Sequence, residues 1–254
     1  MFAILPIFYH NTNTMPRFFV AEINTDADIF RLPENAARHV QVLRSQPQDI
    51  IELFDGTGFV YTAEIASMGK KNVDVRLLTR TEHNAESPLR ITLLQSISSA
   101  ERMDFTIQKS VELGVFAICP IVTERSSQRL SGERADKKVA RWQEIAQGAC
   151  EQCGRSTVPC ILPIQTFQAA LSSLPDKGLR LLMSLNHAQQ LPQFDAPQTV
   201  FLLVGPEGGL SYAEETIAIK YGFQAAGLGP RILRTETAAL VAIAGMQILW
   251  GDLG

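Results

Sequence analysis

The chain has 254 residues, 46% of them hydrophobic and 19% charged, with a formal net charge of −3. That length accommodates one large α/β domain or two smaller ones with a sizeable core. The slightly acidic balance excludes a protein coated throughout in nucleic-acid-binding charge, while leaving room for a local basic patch.

Met1 to Thr14 is apolar at first but carries no Lys or Arg before Arg17, and its apolar run is too short to span a membrane. From Pro16 to about Glu82 the pattern is mostly that of strands: Arg17 to Ile23, Ile50 to Phe54, Phe59 to Ile65 and Asn72 to Leu78 alternate or run apolar. Asp55-Gly-Thr-Gly58 supplies a hairpin turn between the middle two. Glu34 to Leu43 reads as a short helical insert. Together these predict a small β-barrel domain over residues 15–83. Arg17, Arg31, His39 and Arg44 serve as phosphate contacts if the fold gathers them; without metal partners nearby, His39 alone reads equally as an ordinary histidine.

Asn84 to Pro88 reads as a linker, after which strands alternate with helices. Leu89 to Ser96 is a strand, and Ser98 with Glu101 offers a capping box for a helix over Arg102 to Leu113 with Met103, Ile107 and Val111 on its buried stripe. Val115 to Val122 is the next strand, completing a βαβ unit. Glu124-Arg-Ser-Ser127 follows it, where open α/β sheets place ligands. Arg134 to Gln152 is a long helix. Arg102, Lys109, Arg125, Arg129, Arg134 and Arg155 make this middle third locally basic, a candidate phosphate-binding surface. Cys119, Cys150, Cys153 and Cys160 lack the second Cys or His pair a zinc site needs, and read as free cytosolic thiols; no metal is expected. Phe167 to Leu174 is a short helix, Leu179 to Leu185 a strand, and Asn186 to Gln198 a polar loop.

The last fifth is the most informative. Val200 to Val204 is a short apolar run, the pattern of a strand covered on both faces, and Gly205-Pro-Glu-Gly-Gly209 stops it. Ser211 with Glu214 forms a capping box for a helix ending near Gly222. Phe223 to Leu228 is a second short strand, Gly229-Pro230 turns the chain, and Arg231 to Thr237 leads into an apolar helix, Ala238 to Trp250, that Thr235 or Thr237 can cap. Two such loops at neighbouring strand ends can enclose a flat, weakly charged ligand through main-chain groups. The Gly-x-Gly-x-x-Gly fingerprint and the P-loop are both absent, and Glu207 would meet a pyrophosphate with like charge, so a polyphosphate ligand is disfavoured.

Leu203-Val-Gly-Pro-Glu-Gly-Gly209 followed by Leu228-Gly-Pro-Arg-Ile-Leu-Arg-Thr-Glu-Thr-Ala-Ala-Leu240 resembles the cofactor region of the SPOUT methyltransferases. More narrowly it is similar to the ribosomal RNA small subunit methyltransferase E family, over nearly the whole chain from Met15, which makes residues 1–14 an upstream extension. The resemblance implies a PUA-like, RNA-gripping N-terminal domain, a SPOUT domain over residues 89–254 with a deep trefoil knot at about 199–250, a homodimer, and methylation of N3 of one uridine in 16S rRNA. S-adenosylmethionine would be held by Leu203, Val204, Gly205, Pro206, Glu207, Gly208 and Gly209 with Leu228, Gly229, Arg231, Ile232 and Leu233. RNA would be gripped by Arg17, His39, Arg44, Arg102, Lys109, Arg125 and Arg155. Arg234 would favour the anionic base, and Glu236 would orient Arg234 or accept a proton; an Arg234–Glu236 ion pair that merely anchors the helix is the competing reading. A non-catalytic RNA-binding protein and a nucleotide-dependent α/β enzyme remain as alternative classes.

Overall fold

The computed structural model describes residues 15–128, 130–186 and 188–254, so the expected N-terminal extension and Arg129 lie outside the described residues. The chain divides into two units, Met1–His83 and Asn84–Gly254.

In the first unit β1 (Arg17–Phe19), β2 (Phe30–Arg31), α1 (Glu34–Val42), β3 (Ile50–Phe54), β4 (Phe59–Met68) and β5 (Val73–Glu82) follow in order. One sheet pairs them as β1-β3-β4-β5-β2, with β1 parallel to β3 and the other pairs antiparallel. The β3–β4 turn forms because the Asp55 carboxylate accepts from both the backbone N–H and the hydroxyl of Thr57, at 2.9 and 2.6 Å. Phe18, Val40, Ile51, Leu53, Ile65, Val73 and Val75 are wholly buried in one core, which draws α1 onto the sheet. Two expectations change. The first strand ends at Phe19 instead of Ile23, and the pairing path runs open from β1 to β2, so among the described residues the barrel is a single sheet wrapped on its own core. Register shifts in the long β4–β5 ladder, at Thr62/Ala63 and Ile65/Ser67, are irregularities of the bulge kind that bend such a sheet.

The second unit holds β6 (Arg90–Ser96), α2 (Ala100–Glu112), β7 (Ala117–Val122), α3 (Glu133–Cys153), β8 (Cys160–Ile161), β9 (Gln165–Thr166), α4 (Phe167–Ser172), β10 (Leu179–Met183), β11 (Gln189–Gln190), a 3-10 turn (Leu191–Gln193), β12 (Thr199–Val204), α5 (Tyr212–Lys220), β13 (Gln224–Gly227) and α6 (Thr235–Trp250). Its sheet runs β11-β13-β10-β12-β6-β7-β8 with every pair parallel, and β9 adds to β7. Helices cover both faces of such sheets, so central strands bury every residue. That is why Val200 to Val204 and Ile118 to Ile121 are uninterrupted apolar or near-apolar runs, each residue 4% exposed or less apart from Pro120. Met103, Ile107 and Val111 of α2 are fully buried, as are Trp142, Ala146 and Cys150 of α3 to within 1%. None of the four cysteines forms a disulfide, and burial pushes the Cys119 thiol up to about 11.

The capping residues differ from expectation in two places. Ser99, not Ser98, stands at the N-cap of α2, while Ser98 is buried. Arg234 stands at the N-cap of α6, because Thr235 already turns its hydroxyl into the sheet edge to donate to the Gly205 carbonyl at 2.6 Å. The box at α5 is as the spacing predicts: Ser211 and Glu214 satisfy each other's backbone N–H at 3.3 and 2.9 Å. The other Glu214 oxygen accepts from the Glu124 N–H at 2.8 Å, tying the loop after β7 to the start of α5.

Helix α6 packs on β6, β12 and α2, and against the 3-10 turn. A Cβ on Gly245 would stand 3.0 Å from Leu191 Cδ1, so glycine permits that approach. The turn belongs to the connection from β10 to β12. Helix α6 therefore touches both that connection and the sheet.

Candidate active site

Because β10, β12 and β13 are adjacent and parallel, the loops that leave their carboxyl ends rise on one rim. They enclose a cavity of about 350 Å³, within the range of small-molecule sites. Val204 to Leu210 forms one wall, Leu228, Gly229 and Arg231 to Leu233 the opposite one, and Met183 to Asn186 a third; Thr235 and Ala238 of α6 close the floor. The charged lining residues are Glu207, Glu215 and Arg231, two acids against one base.

The Gly205 to Gly209 loop is held from outside the cavity. Gly209 sits at φ +69° and Gly229 at φ +96°, left-handed values that glycine adopts without strain. Arg125 donates to the Gly208 carbonyl at 2.8 Å, and its side chain passes so close that a Cβ on Gly208 would stand 3.3 Å from it. Glu207 accepts from the Ser99 N–H at 3.0 Å and from Arg102 at 2.9 Å. Burial opposes ionisation of Glu207, but the backbone N–H groups of Ser99 and of Glu207 itself, with the Arg102 guanidinium, outweigh it and hold the carboxyl below its ordinary range. Beneath the loop, buried Gln95 donates to Thr235 Oγ1 at 3.0 Å, continuing the chain to the Gly205 carbonyl. The loop is thus shaped by its neighbours before any ligand arrives.

The expected wall residues Val204 to Gly209 and Leu228, Gly229, Arg231, Ile232 and Leu233 line this cavity together; buried Leu203 supports it from β12, one residue behind the wall. Arg234 and Glu236 stand beside the cavity, not in its lining. Arg234 is exposed and has no ion-pair partner among the described residues. Glu236 turns toward α2, where one carboxylate oxygen lies 3.6 Å from Arg102 Nε and the other is buried without a hydrogen-bond partner. The guanidinium beside Glu236 is therefore Arg102, not Arg234.

The expected RNA contacts fall in both units. Arg17 pairs with Glu52 at 2.8 Å and lies over the Phe54 ring, exposed His39 meets Phe18 edge-on at 5.2 Å, and Arg44 is exposed at φ +59° just past α1. In the second unit Lys109 pairs with Glu112 at 2.7 Å, while Arg102 and Arg125 hold the glycine loop. Arg155 corrects the expectation outright: at 5% exposure it donates to Glu86 and to the carbonyls of Val111 and Val115, at 3.0 Å for Glu86 Oε1 and 2.9 and 3.0 Å for the carbonyls, so it braces the interior and offers no surface to phosphate. Residues missed from sequence are Gln95, Ser99 and the Met183 to Asn186 loop. Only the last left a signal, a polar stretch at the end of a buried strand.

An open parallel sheet with a small-molecule cavity at its carboxyl edge, preceded in the chain by a small β unit, fits the layout of an RNA methyltransferase. The family described as RNA methyltransferase domain matches residues 85–247, and the RNA methyltransferase PUA domain matches 32–78. The chain is 35% identical over 94% of its length, and 95% of the relative's, to ribosomal RNA small subunit methyltransferase E of Buchnera aphidicola subsp. Acyrthosiphon pisum. It is 31% identical to the protein of that name in Bacillus subtilis, over 94% of this chain and 100% of that one. The crystal structure of ribosomal RNA small subunit methyltransferase E from Neisseria gonorrhoeae bound to S-adenosyl methionine superposes with a TM-score of 0.90 at 51% identity, covering 95% of this chain and 100% of the other. The chain belongs to the ribosomal RNA small subunit methyltransferase E family.

Proposed function

We propose that the protein transfers the methyl group of S-adenosylmethionine to N3 of a specific uridine in 16S rRNA of the small ribosomal subunit, in the cytoplasm. The observation that carries this reading is the cavity shared by the Gly205 and Leu228 loops in a chain of this family. Its walls fit the cofactor: main-chain atoms of Val204 to Gly209 and Leu228 to Leu233 suit an adenosine, and the Glu207 and Glu215 carboxylates in the lining suit a sulfonium cation better than a polyphosphate. The bound cofactor supplies an electrophilic methyl group for in-line displacement. The protein's part is to align the uracil nitrogen with it and to take the N3 proton. Arg234 stabilises the developing anion on the base, and Glu236 accepts the proton. Arg17, His39 and Arg44 are the phosphate grip of the first unit, with Lys109 on the second.

A trefoil knot accounts for the contacts of α6 with both the β10–β12 connection and the sheet, the chain after β13 then passing through that loop. A homodimer accounts for the apolar side chains left on the outer face of α6, where Val241, Ile248 and Leu249 are 44%, 58% and 43% exposed, alongside Phe105 of α2 at 46%.

Incubating the protein with small subunits from a strain lacking the modification and with methyl-labelled cofactor, then digesting the RNA for mass spectrometry, is expected to yield one labelled 3-methyluridine. Label in another nucleoside, or none, overturns the assignment. Glu207 adds a pH signature. Its carboxyl is held lower in the folded protein than in the unfolded chain, so its support for the loop is complete at neutral pH and is lost as pH falls through the folded value. Calorimetry is expected to find cofactor affinity flat from neutral pH down to the ordinary glutamate range and weakening only below it, and Glu207→Gln to remove that acid dependence. Affinity that already falls between pH 7 and pH 6, by about tenfold or more, contradicts it.

A further inference from the structure

We propose that Arg102 is a positioning residue for methyl transfer, one guanidinium that joins Glu207 of the cofactor loop to Glu236 at the start of α6. This rests on the reading of Glu236 as the proton acceptor.

Arg102 reaches Glu207 with one terminal nitrogen at 2.9 Å and faces Glu236 with Nε at 3.6 Å. It stands in the first turn of α2, whose N-cap Ser99 gives Glu207 its backbone hydrogen bond at 3.0 Å. Both grips on Glu207 therefore come from the same helix end. Glu207 lines the cofactor cavity and Glu236 does not, so Arg102 is the physical link between the loop that would hold the donor and the carboxylate that would receive the proton.

The state of Glu236 gives the link its purpose. Its second oxygen is buried and makes no hydrogen bond. A carboxylate held on one side by a guanidinium and left without a donor on the other keeps lone pairs available for an incoming N–H. In a merely structural network both oxygens are satisfied, since an unpaired buried acceptor costs stability. Arginine suits the task because its rigid planar fork addresses two carboxylates from different edges, whereas an ammonium is a single point of charge on a flexible stem. The side chains of Arg102, Glu207 and Glu236 are 33%, 29% and 13% exposed, so the pairs are only partly screened by water. The unfolding midpoint of Arg102→Met, read beside its kinetics, separates a functional loss from a folding defect.

The test is single-turnover and steady-state kinetics of the full chain on small ribosomal subunits, comparing Arg102→Met, Arg102→Lys and Glu236→Gln. Arg102→Met is expected to lower kcat by about 100-fold, the scale of a misplaced catalytic group, while KM for the cofactor stays within about threefold, so that the loss falls in the transition state alone. Arg102→Lys restores part of that loss, and millimolar methylguanidine raises the rate of Arg102→Met but not of Glu236→Gln. A raised KM with kcat unchanged would make Arg102 a binding contact and overturn the proposal. So would an inactive Glu236→Gln beside an Arg102→Met as active as the parent, which leaves the proton-acceptor reading standing. A fully active Glu236→Gln removes the proton acceptor itself, and the Arg102 proposal with it.

Discussion

Arg234→Ala abolishes most turnover, by about 10²- to 10³-fold, the loss typical of removing one donor aimed at developing negative charge, while cofactor affinity measured by calorimetry stays within a few-fold. The two halves of this expectation come from where Arg234 sits. It is the N-cap of α6, directly between Leu233 in the cavity wall and Thr235 on its floor, yet it is not itself part of the lining. A cofactor filling the cavity would touch its neighbours and not its guanidinium. The side chain is exposed and has no ion-pair partner among the described residues, so the competing reading, in which it anchors the helix by pairing with Glu236, has lost its partner: Glu236 faces Arg102. The N-terminus of α6 contributes partial positive charge at the same point. An acceptor base approaching there meets a fixed cation and a helix end together, which favours the form that has given up its proton. Arg234→Lys keeps the charge and loses the fork, and should fall between the parent and Arg234→Ala. Turnover of Arg234→Ala equal to the parent's would end the assignment, and a cofactor affinity that collapses with turnover would move Arg234 into the binding wall.

The parts of this site that were legible in the sequence are those governed by local rules. Val200 to Val204 reads as a buried strand because parallel central strands are apolar on both faces, and the capping box of Ser211 and Glu214 is a three-residue pattern with one geometric meaning. The glycine loop announces itself by composition. What stayed hidden depends on which elements meet. Helix α6 is apolar almost all round, so its sequence carries no stripe to say that Ala238 faces the cavity while Glu236 faces α2. Arg102 reads as one more charge on a basic stretch, since nothing within α2 reveals that Glu207, more than a hundred residues on, lies opposite it. Thr235 is a good capping residue by type, and the close carbonyl of Gly205 claims its hydroxyl instead. Charged residues are mostly exposed, and that default misplaces the few that are not.

Arg155 is the clearest of these few, and its replacement has the largest expected effect on stability: Arg155→Ala lowers the unfolding free energy by about 3 kcal/mol, the lower end for breaking a buried ion pair, read by denaturant titration. The side chain is 6% exposed and that of Glu86 25%. Its guanidinium meets both Glu86 oxygens and the carbonyls of Val111 and Val115, at the end of α2 and the approach to β7. Removing it strands the Val115 carbonyl and a half-covered carboxylate where little water reaches, while the Val111 carbonyl keeps only the Gly114 N–H at 3.0 Å. The same variant separates the brace from the RNA contact suggested by the sequence. A residue that neutralises a phosphate contributes about one unit to the salt dependence of RNA binding; a brace contributes none. At a temperature where Arg155→Ala is fully folded, the slope of log affinity against log salt should match the parent's, while the unfolding midpoint falls. A flattened slope with an unchanged midpoint would return Arg155 to the RNA surface.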